Sequence, residues 1–144
     1  WVDLCRQNRK NKTLLCDVAS DKFIETLEAN WPTKHFGYVS MDADSGNVAA
    51  VASFLSAGFT FDVMTYEHDS YEFGNERKEP TKKALEQNGY ILLFEDVRCT
   101  EENLAWEDWW INPKTFDDSL LKLKASDKHH EECLQLIKDY VLEG

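Results

Sequence analysis

Glycine is scarce in this 144-residue sequence, and its closest pair is Gly37 and Gly46. Neither a G-x-G-x-x-G fingerprint nor a Walker loop can be placed on it, which excludes a dinucleotide or P-loop phosphate cradle of the usual kind. A Gly-x-Ser-x-Gly elbow is also missing. The four cysteines, Cys5, Cys16, Cys99 and Cys133, form no C-x-x-C pair. That spacing argues against a zinc ribbon or a disulfide framework, and the expectation is reduced thiols. No apolar run approaches the roughly 18 residues of a membrane-spanning helix. The N-terminal stretch is polar and basic without the apolar segment of a signal peptide, so the expected compartment is cytoplasmic. Positive charge is short as well: 16 Lys and Arg against 27 Asp and Glu leave a net charge of -11. Such a chain repels phosphate backbones, so neither nucleic acid nor an anionic membrane is an expected partner. The few bases cluster at Arg6, Arg9, Lys10 and Lys12 and again between Arg77 and Lys83. The first residue is Trp1 rather than Met, which suggests a fragment of a longer polypeptide.

What is present alternates. Residues 13–19, "TLLCDVA", form a short apolar run ending in acid, read as a first strand. Residues 20–31 carry Phe23, Ile24 and Leu27 on one face ahead of Pro32, which predicts a helix. "HFGYVSMDAD" (35–44) is a second strand. Residues 45–58 place Val48, Val51, Ala52 and Leu55 at i, i+3, i+4 and i+7, a helix closed by Gly58. "FTFDVMTYEHD" (59–69) is a third strand. The helix over 79–89 has Pro80 in its first turn and Gly89 past its end. "YILLFEDV" (90–97) is a fourth strand. A Trp-rich segment, 105–117, reads as a loop, and a last helix covers about 128–142. Alternation of this kind argues for one α/β domain over 1–144, with a mostly parallel sheet flanked by helices.

In such sheets ligands meet the carboxyl ends of the strands. Asp17, Asp42, Asp44, Glu67, His68, Asp69 and Asp96 all fall at or near those ends. Glu67-His68-Asp69 offers a general base with a carboxylate to orient it, or a metal ligand, or only a solvated strand end. Asp42-x-Asp44 has the form of a motif that holds a divalent cation on a diphosphate, or else Asp44 caps the next helix. In "WEDWWINP" (106–113), Trp rings either wall a pocket or fill the core.

In order and spacing, "YVSMDAD", "FDVMTYEHDSY", "GYILLFEDV" and "EDWWINP" resemble the C-terminal half of the FkbM family of methyltransferases, over about residues 14 to 118. The resemblance implies a Rossmann-like fold of the class I methyltransferase type. It implies S-adenosylmethionine as cofactor, no metal, and O-methylation of a sugar or other small-molecule hydroxyl. Asp17 would meet the adenine and Asp42 the methyl-donor centre. His68 would be the base on the acceptor, oriented by Glu67 or Asp69. Trp109 and Trp110 would wall the acceptor pocket, with Asp44, Glu107 and Asp108 on the acceptor side. The family's Gly-rich cofactor loop has no counterpart here, and Val18 stands where Ala is commoner. Three explanations are expected, in this order: the chain is the C-terminal portion of a longer enzyme, a separate chain supplies the missing half, or the site has become a non-catalytic binding module. An open β-edge where the missing strands belong would make a dimer. The rival enzyme is a metal-dependent glycosyltransferase or sugar-nucleotide enzyme built on Asp42 and Asp44.

Overall fold

The computed structural model describes residue 14, residues 16–98 and residues 103–143. Helix α1 (Lys22–Asn30) turns Phe23, Ile24 and Leu27 onto the sheet and ends ahead of Pro32. Strand β1 (His35–Met41) leads through a 3-10 turn (Asp44–Gly46) into α2 (Asn47–Ser56). Strand β2 (Thr60–Glu67) is followed by the single turn α3 (Ser70–Phe73) and by α4 (Lys78–Gln87). Gly89 closes α4 with φ +84, a conformation that a side chain would strain. Strands β3 (Ile91–Arg98) and β4 (Ala105–Ile111) form the centre of the second half. A 3-10 segment (Asp118–Leu123), the two-residue strand β5 (Ala125–Ser126) and helix α5 (His130–Glu143) complete it.

The architecture is α/β, an open mixed sheet with helices on both sides, in the order β1-β2-β4-β3-β5. Strand β1 runs parallel to β2, and β5 parallel to β3. Strand β4 is antiparallel to both β2 and β3, so the other four share one direction. The "mostly parallel" expectation therefore holds for four strands and fails for the fifth.

Two sequence expectations need correction. Residue 14 and residues 16–19, the described part of the expected first strand, form coil and turn, and Ser20 continues the turn. Asp17 explains this. Its carboxylate accepts the Ala19 N–H at 2.9 Å and its carbonyl accepts the Ser20 N–H at 3.1 Å, local bonds that compete with a sheet ladder. The Trp-rich segment is strand rather than loop over 105–111. Its aromatic and aliphatic side chains suit a half-buried pleated surface, and both neighbours offer partners across the strand.

Strand β4 has the period-2 alternation of a central strand. Trp110 enters a core cluster with Phe54, Phe59, Phe61, Met64, Tyr66 and Leu85, under α1, α2 and α4. Trp109 and Ile111 enter the opposite cluster with Leu93, Phe94, Val97 and Cys133, under α5 and the 3-10 segment. Cys16 and Cys133 are free thiols, and burial pushes Cys133 up to about 11; Cys5 and Cys99 lie outside the described residues. Among the described residues no helix is long and apolar enough to cross a membrane.

Trp110 is fully buried at the middle of the sheet. Trp110→Ala is expected to cost about 3–5 kcal/mol of unfolding free energy. Urea denaturation followed by far-UV circular dichroism reads this, and a cost below about 1 kcal/mol would rule out a packed central β4.

Candidate functional site

Because β4 runs against its neighbours, its first residues lie beside the last residues of β2 and β3. Glu67 stands opposite Glu107, and Tyr66 opposite Asp108. The turn after β2 is tied to β4 by two backbone bonds, from His68 N–H (3.0 Å) and Asp69 N–H (3.2 Å) to the Trp106 carbonyl. Strand pairing thus brings the "EHD" and "WED" blocks, far apart in sequence, to one rim.

The rim has a dry half. His68 is 0 % exposed and Asp108 1 %. Asp96 comes from a bulge in β3 between Phe94 and Val97, where it adopts φ +54. The His68 Nε2 atom lies 3.4 Å from Asp108 Oδ1 and 3.6 Å from Asp96 Oδ1, without hydrogen-bond geometry to either. Lys78 supplies the cation. Its Nζ lies 2.7 Å from Asp96 Oδ1, 3.1 Å from Glu95 Oε1 and 4.0 Å from Asp108 Oδ1. Burial pulls the Lys78 pKa down, but the Asp96 hydrogen bond, the charge of Asp108 and the Glu95 hydrogen bond outweigh it, so the ammonium is held protonated. Asp108 Oδ1 also accepts the Asp96 N–H at 2.9 Å.

Among the described residues, His68, Asp96 and Asp108 are the one group that could surround a metal ion. Two features argue against an ion there. The Lys78 ammonium already occupies the space between the carboxylates and offsets part of their charge. His68 Nδ1 accepts the Ser70 N–H at 3.1 Å, which assigns the proton of the neutral ring to Nε2. The ring therefore turns an N–H, rather than a lone pair, toward the two aspartates.

The other half is wetter. Asp42 is exposed at the end of β1, and Glu67 is half-buried at the end of β2. Burial first, then the hydrogen bond and charge of Asp42 and the charge of Asp69, push Glu67 up to about 8. Asp69, at φ +49, is held by Arg77 at 2.7 Å, and the Arg77 guanidinium lies 3.7 Å over the Phe73 ring. Buried Asn47 joins the two strand ends. Its Nδ2 donates to the Glu67 carbonyl at 2.8 Å, and its Oδ1 accepts the Ala43 N–H at 2.6 Å.

The residues expected at the site divide. Asp42, Glu67, His68, Asp69, Glu107 and Asp108 meet at the rim. Asp44 is exposed on the 3-10 turn with φ +49, and it makes no side-chain cap to α2. Asp42 and Asp44 are not among the residues grouped around a possible ion. Asp17 sits on an exposed turn; Val18 links that turn to the rim, since a Cβ on Gly46 would lie 2.7 Å from its Cγ2. Trp110 is core, not pocket wall. Trp109 packs edge-on against Phe94 at 5.5 Å and donates Nε1–H to Glu107 at 2.7 Å. Trp106 instead reaches the surface side, where it stacks with Tyr71 at 5.8 Å. His68, expected to meet an acceptor, is wholly enclosed. A groove of about 620 Å³ lies between the 3-10 segment and α5, and no rim acid lines it.

Sequence reasoning missed Lys78, Arg77 and Asn47. For Lys78 a signal existed: a lysine opening a helix opposes the helix dipole and asks for acidic company. Asn47 gave none. No family model, curated protein or solved structure matches this chain.

The dry and wet halves respond differently to substitution. Lys78→Ala leaves buried Asp108 and half-buried Asp96 without their cation and is expected to cost about 2–4 kcal/mol in urea denaturation at neutral pH. A neutral result would mean that the network is not what holds α4. For Glu67 the sign comes from its raised pKa: its contribution to stability is full below its ordinary 4.5 and is lost as pH rises through about 8. Glu67→Gln should therefore melt with the wild type at pH 4 and above it at pH 9. Parallel melting curves at both pH values would remove the protonated carboxyl from the site.

Proposed function

We propose that this chain is a methyltransferase-type domain dependent on S-adenosylmethionine, acting on a hydroxyl of a sugar or other small molecule. One observation carries the reading. A carboxyl whose pKa lies near 8 stands at the solvent side of the strand ends, next to a second, exposed carboxylate. The Rossmann-like character of the sheet belongs to the same proposal.

The residues fit the cofactor in kind. A sulfonium is a cation, and Asp42 is an exposed carboxylate at a parallel strand end. Asp17 borders an apolar cleft of about 220 Å³ lined by Cys16, Val18, Phe23, Leu27 and Trp31, which suits a flat heterocycle. Asp42 would hold the sulfonium side, and Asp17 with this cleft the adenosine side. The bound cofactor supplies an already activated methyl carbon. The protein's own task is then to align the acceptor and take its proton.

Glu67 is the group placed for that proton. With a pKa near 8, about a tenth of it is ionised at pH 7, and the ionised form is the better base for having been hard to make. His68 is a positioning residue in this reading. Its ring accepts the Ser70 N–H and faces Asp108 and Asp96, which fixes the turn after Glu67. Arg77 holds Asp69 and limits its charge on Glu67. Trp106 and Tyr71 offer an aromatic surface at the same rim.

Calorimetric titration with S-adenosylhomocysteine tests the cofactor half. Saturable binding is expected in the wild type, at least tenfold weaker in Asp42→Ala and in Asp17→Ala, about 1.4 kcal/mol or more in each. No heat from a chain shown to be folded would sink the reading. Where transfer to a hydroxyl acceptor is then measured, its rate should rise with pH to a plateau above about 8, and Glu67→Gln should lose both rate and limb.

A further inference from the structure

One surface position joins a labile sequence to a tight conformation. Asn88 precedes Gly89, and no other asparagine of the chain is followed by glycine. The pair lies just past the end of α4, and both residues are exposed. An asparagine side chain in water is open to attack by the backbone nitrogen of the next residue, which closes a five-membered imide. A side chain on that next residue hinders the attack, and glycine has none. Space is open as well, since a Cβ built on Gly89 would meet nothing within 4 Å. Asn75 is also exposed, but Glu76 follows it.

The fold holds the reacting atoms apart. Gly89, at φ +84, closes α4 in a Schellman arrangement. Its N–H donates to the Glu86 carbonyl at 3.0 Å, and the Tyr90 N–H donates to the Leu85 carbonyl at 3.1 Å. The Asn88 side chain is tethered too, because its Nδ2 donates to the Ala84 carbonyl at 2.8 Å. The Asn88 ψ of 7 sets the Gly89 nitrogen in line with the nitrogen of Asn88 itself. Ring closure needs it in line with Cβ instead, and that rotation breaks both Schellman bonds.

We propose that Asn88 is a deamidation site gated by the cap of α4, converting to aspartate and isoaspartate only while the cap is open. In the open state the Gly89 nitrogen gives its proton to solvent base and attacks Cγ. The new Cγ–N bond forms and the Cγ–Nδ2 bond breaks. Nδ2 takes one proton from water and leaves as ammonia, which balances the proton given up. Water then opens the imide at one of its two carbonyls. One opening restores the main chain with aspartate, and the other routes it through the side chain as isoaspartate. Water is the sole co-reactant.

Either product undoes the cap. The Nδ2 donor to Ala84 is lost, and a carboxylate now stands among the outward carbonyls of the helix end. The last turn of α4 has no basic residue to offset it and already carries Glu86. Isoaspartate also adds a carbon to the main chain directly before Gly89, which displaces both Schellman donors. Leu85 is buried beside this cap, and Tyr90 stacks on Phe61 at 4.0 Å and accepts its N–H at 3.3 Å. Conversion at Asn88 is thus a one-way loosening of the junction between α4 and β3. It is independent of the proposed activity.

Peptide mapping of the 144-residue chain after incubation in mildly alkaline buffer tests it. Trypsin releases residues 84–98, in which Asn88 is the one asparagine, and the amide-to-acid mass change reads its conversion. Both products are expected, formed at least about tenfold more slowly in the folded chain than in guanidinium chloride. In the denatured chain Asn88 should outpace Asn75. Asn88→Asp should fold and melt below the wild type. Equal rates in the folded and denatured chain overturn the gate, and a denatured chain in which Asn88 does not outpace Asn75 overturns the site. An Asn88→Asp variant that melts with the wild type overturns the loosening.

Discussion

Two carboxylates, buried Asp108 and half-buried Asp96, converge beside enclosed His68, and the Lys78 ammonium lets both remain there. Like charges in a poorly solvated space repel strongly, and each alone would be costly to bury. The lysine answers both at once. Because it opens α4, it also fixes where that helix begins against the sheet. Tyr66 extends the same attachment: its hydroxyl donates to the Arg77 carbonyl and accepts from Thr81, so the first turn of α4 is tied to β2 as well as to β3 and β4. The position of α4, the bulge at Asp96 and the enclosure of His68 therefore depend on one cation.

The wetter half lacks an equivalent cation at its centre. Arg77 serves Asp69, but Asp42 and Glu67 face each other without one among the described residues. Proximity of two acids is then relieved by retaining a proton rather than by pairing. The two halves show the two ways a protein can keep carboxylates together. One gives a rigid anchor, and the other gives a group able to exchange its proton near neutral pH.

Much of the fold was legible in the sequence. Helical spacing located α1, α2, α4 and α5, and apolar runs located β1, β2 and β3 within a few residues. The carboxyl-end rule assembled Asp42, Glu67, His68, Asp69 and Asp96 from local pattern alone. Two things were not legible. Whether residues 16–19 continue a strand depends on hydrogen bonds of Asp17 to its own neighbours, which compete with any ladder. Whether "AWEDWWI" forms a strand depends on partners that lie far off in sequence. Its direction decides the site, because a loop would leave Glu107 and Asp108 anywhere, whereas an antiparallel strand delivers them to the rim. Burial encloses His68 and leaves Glu67 half-buried, a difference not legible because sequence shows a residue's chemistry but not its access to water.

Strand β4 has a consequence for folding fidelity. Trp110 and Asp108 point to one side of the sheet, and Trp109 and Glu107 to the other. Sliding β4 by a single residue would exchange these sets, moving indole from one core to the other and carrying Asp108 away from Lys78. A mispaired sheet would then show two faults together, a misfilled interior and an ammonium deprived of its aspartate. The polar site thereby proofreads the apolar packing, so a chain that has assembled the rim has also found the right strand alignment.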